Sequence, residues 1–274
     1  MKKLCFMLMF LLLFGCSNTE TASITKPSTK SDNLKKEQAA TPPEKVNPKT
    51  PEGEVTNLPP KPMANVKNTT APANKKESMM LDVALIKQNP ELRYGCEVTS
   101  LAMVLNYAGV NTNKMELYQA VRKDLDPLKK SNTGDIISWG NPAEGFVGDM
   151  TGKTAGYAVF DKPMIDLINQ KLPGRAVNLT NQPFDAVLDH VSKGFPVVVW
   201  TTGDYRLPDR WEQWNHGSQV IKTPLDLHAV VLVGYDKANV YLNDPLSGKK
   251  QVAVNKERFI ASWKALESRA VSYQ

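Results

Sequence analysis

Hydrophobic residues fall along this chain in three regimes. Leu4 to Phe14 is an apolar run containing one cysteine, Cys5, behind the basic pair Lys2 and Lys3. A run this short cannot anchor stably as a membrane-spanning helix and has the length of a secretory core segment. Residues 17–79 hold only scattered Val, Ile, Leu and Met and no aromatic residue. From about residue 80 the spacing becomes that of a packed domain. Leu81 to Ile86 predicts a short strand. After Cys96, apolar residues recur at Val98, Leu101, Ala102, Leu105 and Ala108, the stripe of a buried helix, and Gly109 supplies a left-handed stop. Phe184 to Lys193 predicts a second helix with Phe184, Val187, Leu188 and Val191 inward. His228 to Tyr235 is apolar on both faces and predicts a central strand. Asp236 to Asn239 reads as a tight turn that sends Val240 to Asp244 back along it.

The first two regimes lie outside the fold. Leu13-Phe14-Gly15-Cys16 resembles a bacterial lipobox, which makes residues 1–15 a signal peptide and Cys16 the lipidated N-terminus of the mature chain. Two acyl chains anchor stably, at roughly 0.8 kcal/mol per buried CH₂. Residues 16–79 carry nine prolines among many Thr, Asn and Lys, and cannot bury enough apolar surface to offset their ordering entropy. They read as an extended tether, at roughly 3 Å per residue where polyproline-like. The expected location is the outer face of the cell membrane, with the lipid as the membrane partner.

Residues 80–274 remain, enough for one domain with its own core. They carry 22 Lys and Arg against 21 Asp and Glu, so most of the chain's net charge of +6 sits before the domain. That balance removes the electrostatic case for a nucleic-acid partner, and a monomer is expected. Cys5 leaves with the signal and Cys16 takes lipid, so Cys96 is the one thiol left to the domain. An intramolecular disulfide or a cysteine-rich zinc site is excluded, and a lone thiol in an exported chain asks for a chemical reason.

Tyr94-Gly95 allows a turn that sets Cys96 on the first turn of its helix, where unpaired N–H groups and the dipole favour a thiolate. A core cysteine would sit on the apolar stripe instead. Glu97 opposes ionisation if it points at the sulfur, but one residue along the helix turns it roughly 100° away, so a depressed thiol pKa is expected. Three histidines compete as base. His190 reads as a surface or boundary residue. His216 lies in a polar, Trp-rich loop with no evident orienting partner. His228 opens the central strand, where Asp244 returns beside it and can hold its imidazole. The order Cys96, His228, Asp244 has separations of 132 and 16 positions, those of papain-type nucleophile, histidine and orienter.

Taken together, Gly95-Cys96-Glu97-Val98-Thr99-Ser100, Asn141-Pro142-Ala143-Glu144-Gly145, Gly194-Phe195-Pro196-Val197, His228-Ala229-Val230-Val231 and Asn243-Asp244-Pro245-Leu246-Ser247-Gly248 resemble the bacterial double-glycine-peptidase-like cysteine peptidases, relatives of bacteriocin-leader peptidases. The resemblance covers nearly all of residues 81–274. It implies a papain-like α+β fold with an N-terminal nucleophile helix on an antiparallel sheet. It also implies Cys96 as nucleophile, His228 as general base and acid, Asp244 as orienter and Gln88 as oxyanion donor, without a metal or organic cofactor. The substrate implied is a peptide or amide. Leader specificity is not carried over, since no transporter segment accompanies the domain. A peptidoglycan amidase or endopeptidase acting on cell-wall peptide, and a catalytically silent peptide-binding module, are the alternatives. Gly148 to Thr154 imitates a phosphate-binding loop but has three residues between its glycines where four are needed. Gly140 to Gly156 is therefore expected to be a mobile loop over the cleft, its glycines admitting a substrate backbone.

Replacing Cys16 by Ala is expected to release the protein into the medium or leave it uncleaved at the membrane. Unchanged partitioning into the detergent phase would reject the lipid anchor.

Overall fold

A computed structural model describes residues 76–274; the signal, Cys16 and all but the last few tether residues lie outside the described residues. In chain order the elements are β1 (Met79–Met80), α1 (Cys96–Tyr107), α2 (Lys114–Ala120), β2 (Lys123–Asp124), β3 (Lys129–Lys130), β4 (Ile136–Ser138) and β5 (Phe146–Val147). Then follow α3 (Asp161–Lys171), β6 (Ala176–Asn178), α4 (Phe184–Ser192), β7 (Val197–Thr202), β8 (Trp211–His216) and β9 (Gln219–Pro224). The chain closes with β10 (Leu227–Tyr235), β11 (Asn239–Asp244), β12 (Lys249–Asn255), α5 (Lys256–Ala265) and β13 (Ala270–Tyr273).

The apolar runs build one antiparallel sheet in the order β12-β11-β10-β7-β13-β6, with β1 added to the end of β10. β7 is buried throughout and β10 from His228 to Tyr235, as their two-faced apolar pattern requires. The turn after β10 forms where expected. Asp236 accepts the N–H groups of Ala238 and Asn239, and with the Tyr241 hydroxyl as the largest influence its carboxyl pKa is held at about 2. That turn returns β11 antiparallel to β10, pairing Tyr235 with Val240 and Val231 with Asn243.

Helix α1 packs on β10, β7, α2 and α3. Its apolar stripe predicted one buried side, but every residue from Cys96 to Leu105 is buried. Sheet, helices and the loops after α2 surround it, so Glu97, Thr99 and Ser100 are inside as well. Ser100 donates to the Ala229 carbonyl of β10 at 3.2 Å. Fully burying side chains such as Val98, Leu101 and Leu105 contributes roughly 1.5–3 kcal/mol each. On the sheet's other packing partners, Phe184 of α4 meets Phe259 and Trp263 of α5 at ring-centroid distances of 5.8 and 5.1 Å.

Three sequence expectations change. Leu81–Ile86 is not a strand: it keeps the in-and-out alternation, with Leu81 and Val83 buried and Asp82 and Ala84 exposed. The Asn243 side chain donates to the Val83 carbonyl at 2.9 Å. His190 is buried, not at the surface. It meets the Tyr273 carbonyl through Nε2 at 3.0 Å and stacks on Phe195, and burial lowers its pKa. Gly140–Gly156 is a hydrogen-bonded hairpin that includes β5. Asp149 accepts the N–H groups of Thr151 and Thr154, and Gly148 bridges to Gly156. Its glycines admit the chain's own backbone: a Cβ on Gly148 would lie 2.4 Å from the Ala155 carbonyl oxygen, and one on Gly156 2.2 Å from that of Asp149.

A second small core supports this hairpin. β3, β4, β8 and β9 form a four-stranded sheet, over which Trp139, Val147 and Trp214 pack with Tyr157. Among the described residues no helix is long and apolar enough to cross a membrane.

Gly148 and Gly134 both have positive φ, 78° and 94°, but only Gly148 is crowded by main chain. Replacement by Ala carries a left-handed backbone cost of roughly 1–2 kcal/mol at each. Gly148→Ala is expected to lose a further ~1–3 kcal/mol from overpacking. Equal shifts of the urea midpoint in the two variants would show that the hairpin is not tightly packed.

Candidate active site

Cys96 is the first residue of α1, and Gly95 before it is the N-cap without a capping side chain. The turn into the helix is close: a Cβ on Gly95 would sit 2.5 Å from Leu92 Cβ, so a larger residue would push α1 off its seat. Tyr94 N–H donates to the Met150 carbonyl at 2.9 Å, tying the turn to the glycine hairpin. The first N–H groups of a helix have no partner within it, so the Cys96 main-chain N–H is available as a donor.

His228 is the second residue of β10 and Asp244 the last of β11. Their side chains meet at 2.8 Å, His228 Nε2 to Asp244 Oδ1, and both are nearly buried. Burial alone would raise the Asp244 pKa. The His228 contact, its charge, the Ser247 hydroxyl and the Leu246 N–H outweigh it and hold the carboxyl far below the usual carboxylate range. The Tyr205 hydroxyl adds a donor at 3.2 Å to Oδ2. Tyr205 holds a left-handed backbone, φ 62°, which a tyrosine adopts only when its surroundings fix it. Sequence reasoning missed Tyr205 and Ser247. Ser247, three residues after Asp244, was the more legible, since that spacing suits an aspartate-capped turn.

Gln88 is buried beside them. Its Nε2 donates to the Arg93 carbonyl at 2.8 Å, and its Oε1 has no hydrogen-bond partner among the described residues. One N–H of that amide is thus used internally and a second remains. Cys96, Gln88 and His228 line one cleft of about 710 Å³, with Tyr157, Leu225 and Asp226 among its other walls. The structure therefore gathers the predicted residues into one place.

Glu97 departs from expectation. Its carboxylate was to point about 100° away from the sulfur, yet the Cys96 thiol donates to Glu97 Oε2 at 3.3 Å. The cause is the other oxygen: Oε1 accepts the Val159 N–H at 3.0 Å and pins the side chain inward. Burial pushes the Cys96 thiol well up, and the Glu97 charge adds to it, so the expected depression of the thiol pKa is not what this geometry gives. Burial also raises Glu97, to about 7. The Val159 peptide is gripped at both ends, for its carbonyl accepts Trp200 Nε1–H at 3.0 Å.

His216 belongs to a different place. It ends β8, outside a loop, and its Nε2 lies 3.2 and 3.4 Å from carboxylate oxygens of Asp124 and Asp126, with Glu144 at 3.9 Å from Nδ1. It has orienting partners after all, and lines a separate pocket. Asp124, Glu144 and His216 each bring a potential metal-ligand atom within 4.8 Å of the others. Asp124 Oδ2 is already occupied by the Asn141 N–H at 2.9 Å, so the cluster reads as a staple between β8 and the hairpin.

Comparison with known proteins agrees with this arrangement. Residues 80–271 match the Peptidase_C39 like family. The uncharacterized protein YvpB of Bacillus subtilis (strain 168) is 36% identical over 214 residues, covering 76% of this chain and 82% of that protein. A Bacillus anthracis crystal structure named as C39-like peptidase superposes with a TM-score of 0.67 at 38% identity, covering 73% of this chain and 98% of its own. The architecture is that of a helix packed on an antiparallel sheet, as expected, and the chain belongs to the Peptidase_C39 like family.

Proposed function

We propose that this protein is a cysteine peptidase, exported and held at the outer face of the cell membrane through Cys16, which cleaves peptide or amide bonds with Cys96, His228 and Asp244. The observation that carries the reading is the 2.8 Å His228–Asp244 pair opening on the same cleft as Cys96 and Gln88. With Nε2 on Asp244, Nδ1 is the nitrogen left to take the thiol proton. Cys96 sulfur then attacks the carbonyl carbon, and the oxyanion accepts from the Cys96 N–H and the spare Gln88 N–H. His228 returns the proton to the leaving amine, and a water activated by the same imidazole releases the acyl group. Asp244 holds the ring in the tautomer this requires and stabilises the imidazolium.

One observation favours a second reading. A thiol hydrogen-bonded to a carboxylate is poorly prepared to ionise, which would suit a silent peptide-binding module. Turnover separates the two. The substrate, free peptide or cell-wall peptide, is open to the same assay.

The test is a substitution series on the full chain, incubated with a mixed peptide library and with a muropeptide digest and read by mass spectrometry. Cys96→Ala is expected to abolish cleavage. His228→Ala should lose about 10²–10⁴-fold and Gln88→Ala about 10²–10³-fold. Asp244→Asn should retain considerable activity, since an amide oxygen can still accept from the ring. His216→Ala should stay near the parent. If His216→Ala is the more damaging histidine change the base is misplaced, and if the parent cleaves neither pool the binding module is the better account.

A further inference from the structure

The Cys96–Glu97 contact lies inside the catalytic centre but has no part in the triad chemistry. Glu97 has no solvent exposure, and its two oxygens have different partners: Oε1 takes the Val159 N–H and Oε2 the Cys96 thiol. A carboxyl in that position acts oppositely in its two states. Charged, it accepts the S–H and repels a thiolate. Protonated, it becomes an O–H donor facing the sulfur, and a thiolate is a better acceptor than a thiol.

We propose that Glu97 is a further catalytic residue, a gate on the nucleophile: the Cys96 thiolate forms readily only while Glu97, whose Oε2 faces the sulfur, carries its proton, and the site closes as Glu97 ionises. This rests on Cys96 being the nucleophile. The protons balance without an outside reagent. On activation the sulfur's proton goes to His228, while the Glu97 proton stays on its carboxyl and is shared toward the thiolate. When the sulfur attacks a carbonyl, Glu97 keeps its proton and His228 delivers the other to the leaving group.

The surroundings leave Glu97 as the group that decides. On α1 its titratable neighbour is Cys96. β10 contributes His228, the proton acceptor of the mechanism, and β7 contributes the uncharged Trp200. From the segment before α3 comes Tyr157. Burial, with the Glu97 charge as a lesser cause, keeps it a neutral phenol, while it binds the Pro224 carbonyl. Arg269 and Asp226 are felt at Tyr157; Arg269 is engaged with Asp161 and Glu267 and lies over Phe160. Among the described residues the groups that favour the charged Glu97 carboxylate are the Val159 N–H, its own main-chain N–H and the Cys96 thiol, none of them a cation. Burial accordingly raises it to about 7. Since a raised carboxyl is neutral below that value and charged above it, the gate opens below about pH 7 and closes above it.

The experiment is the rate of iodoacetamide labelling at Cys96, mapped by mass spectrometry, across pH 5 to 9. The unfolded chain should show the ordinary response, rising about tenfold per unit below its thiol pKa of ~8.5. The folded protein should instead hold level or fall between pH 6 and 8. Glu97→Gln keeps a carbonyl for the Val159 N–H but cannot be charged. It should remove the fall and label at least tenfold faster than the parent at pH 8. A parent profile that climbs tenfold per unit like the unfolded chain, or a Glu97→Gln profile that superposes on the parent, overturns the proposal. Should Glu97→Gln not fold, infrared spectra of the parent decide: a protonated-carboxyl band that titrates near neutrality, and shifts when Cys96 is alkylated, supports the gate, and its absence overturns it. A gated profile that is unchanged in His228→Ala and accompanied by no cleavage would keep the gate and defeat the triad reading.

Discussion

Everything at the site depends on a helix of twelve residues that has almost no surface of its own. α1 is buried all round through its first ten residues, so its axis is fixed by packing from several directions at once. Such a helix cannot slide or turn without opening a void in the main core, where each lost methylene contact costs free energy. The sulfur at its first residue therefore arrives at β10 with little freedom. The same enclosure brings polar side chains indoors. Ser100 finds the Ala229 carbonyl, Glu97 finds Val159 and the thiol, and Thr99 Oγ1 is left without a partner among the described residues.

The partner of that helix is a hairpin set by short-range chemistry. Asp236 closes the turn with two main-chain bonds, and β10 and β11 then pair antiparallel with one register shift between Leu232 and Gly234. Asp244 falls beside His228 as a result of strand length and turn size, which a sequence states openly, and of that one-residue shift, which it does not and which sets the face Asp244 is on. That is why this half of the site could be read from apolar runs and a turn. Cys96 was legible for a related reason, since glycine before a cysteine that precedes an apolar stripe marks a helix start.

What the sequence hid was everything decided by three-dimensional enclosure. A one-sided stripe gave no warning that α1 is covered on every side, because Glu97, Thr99 and Ser100 look like solvent-facing residues until the loops are placed. The direction of Glu97 was misjudged for the same reason: helix geometry sets where its Cβ points, but the Val159 N–H, 62 residues away, sets where its carboxyl ends. His190 and His216 were misplaced because their partners, the Tyr273 carbonyl and the Asp124 and Asp126 carboxylates, come from distant segments. The glycines of the 140–156 segment were correctly seen as sites of close approach. The approaching chain proved to be the protein's own.

The double grip on the Val159 peptide ties chemistry and recognition to a single segment of backbone. On one side it is fastened to α1 and the central sheet; two residues earlier, Tyr157 forms a cleft wall and reaches across to Thr223 and Pro224 on β9. The small sheet thus bears on the entrance of the cleft without touching the sulfur. A change in the β8–β9 hairpin therefore reaches that entrance through Tyr157, while the packing around α1 is made by other elements. The fold in this way separates a cleft wall that the small sheet holds from a helix start that the main core holds.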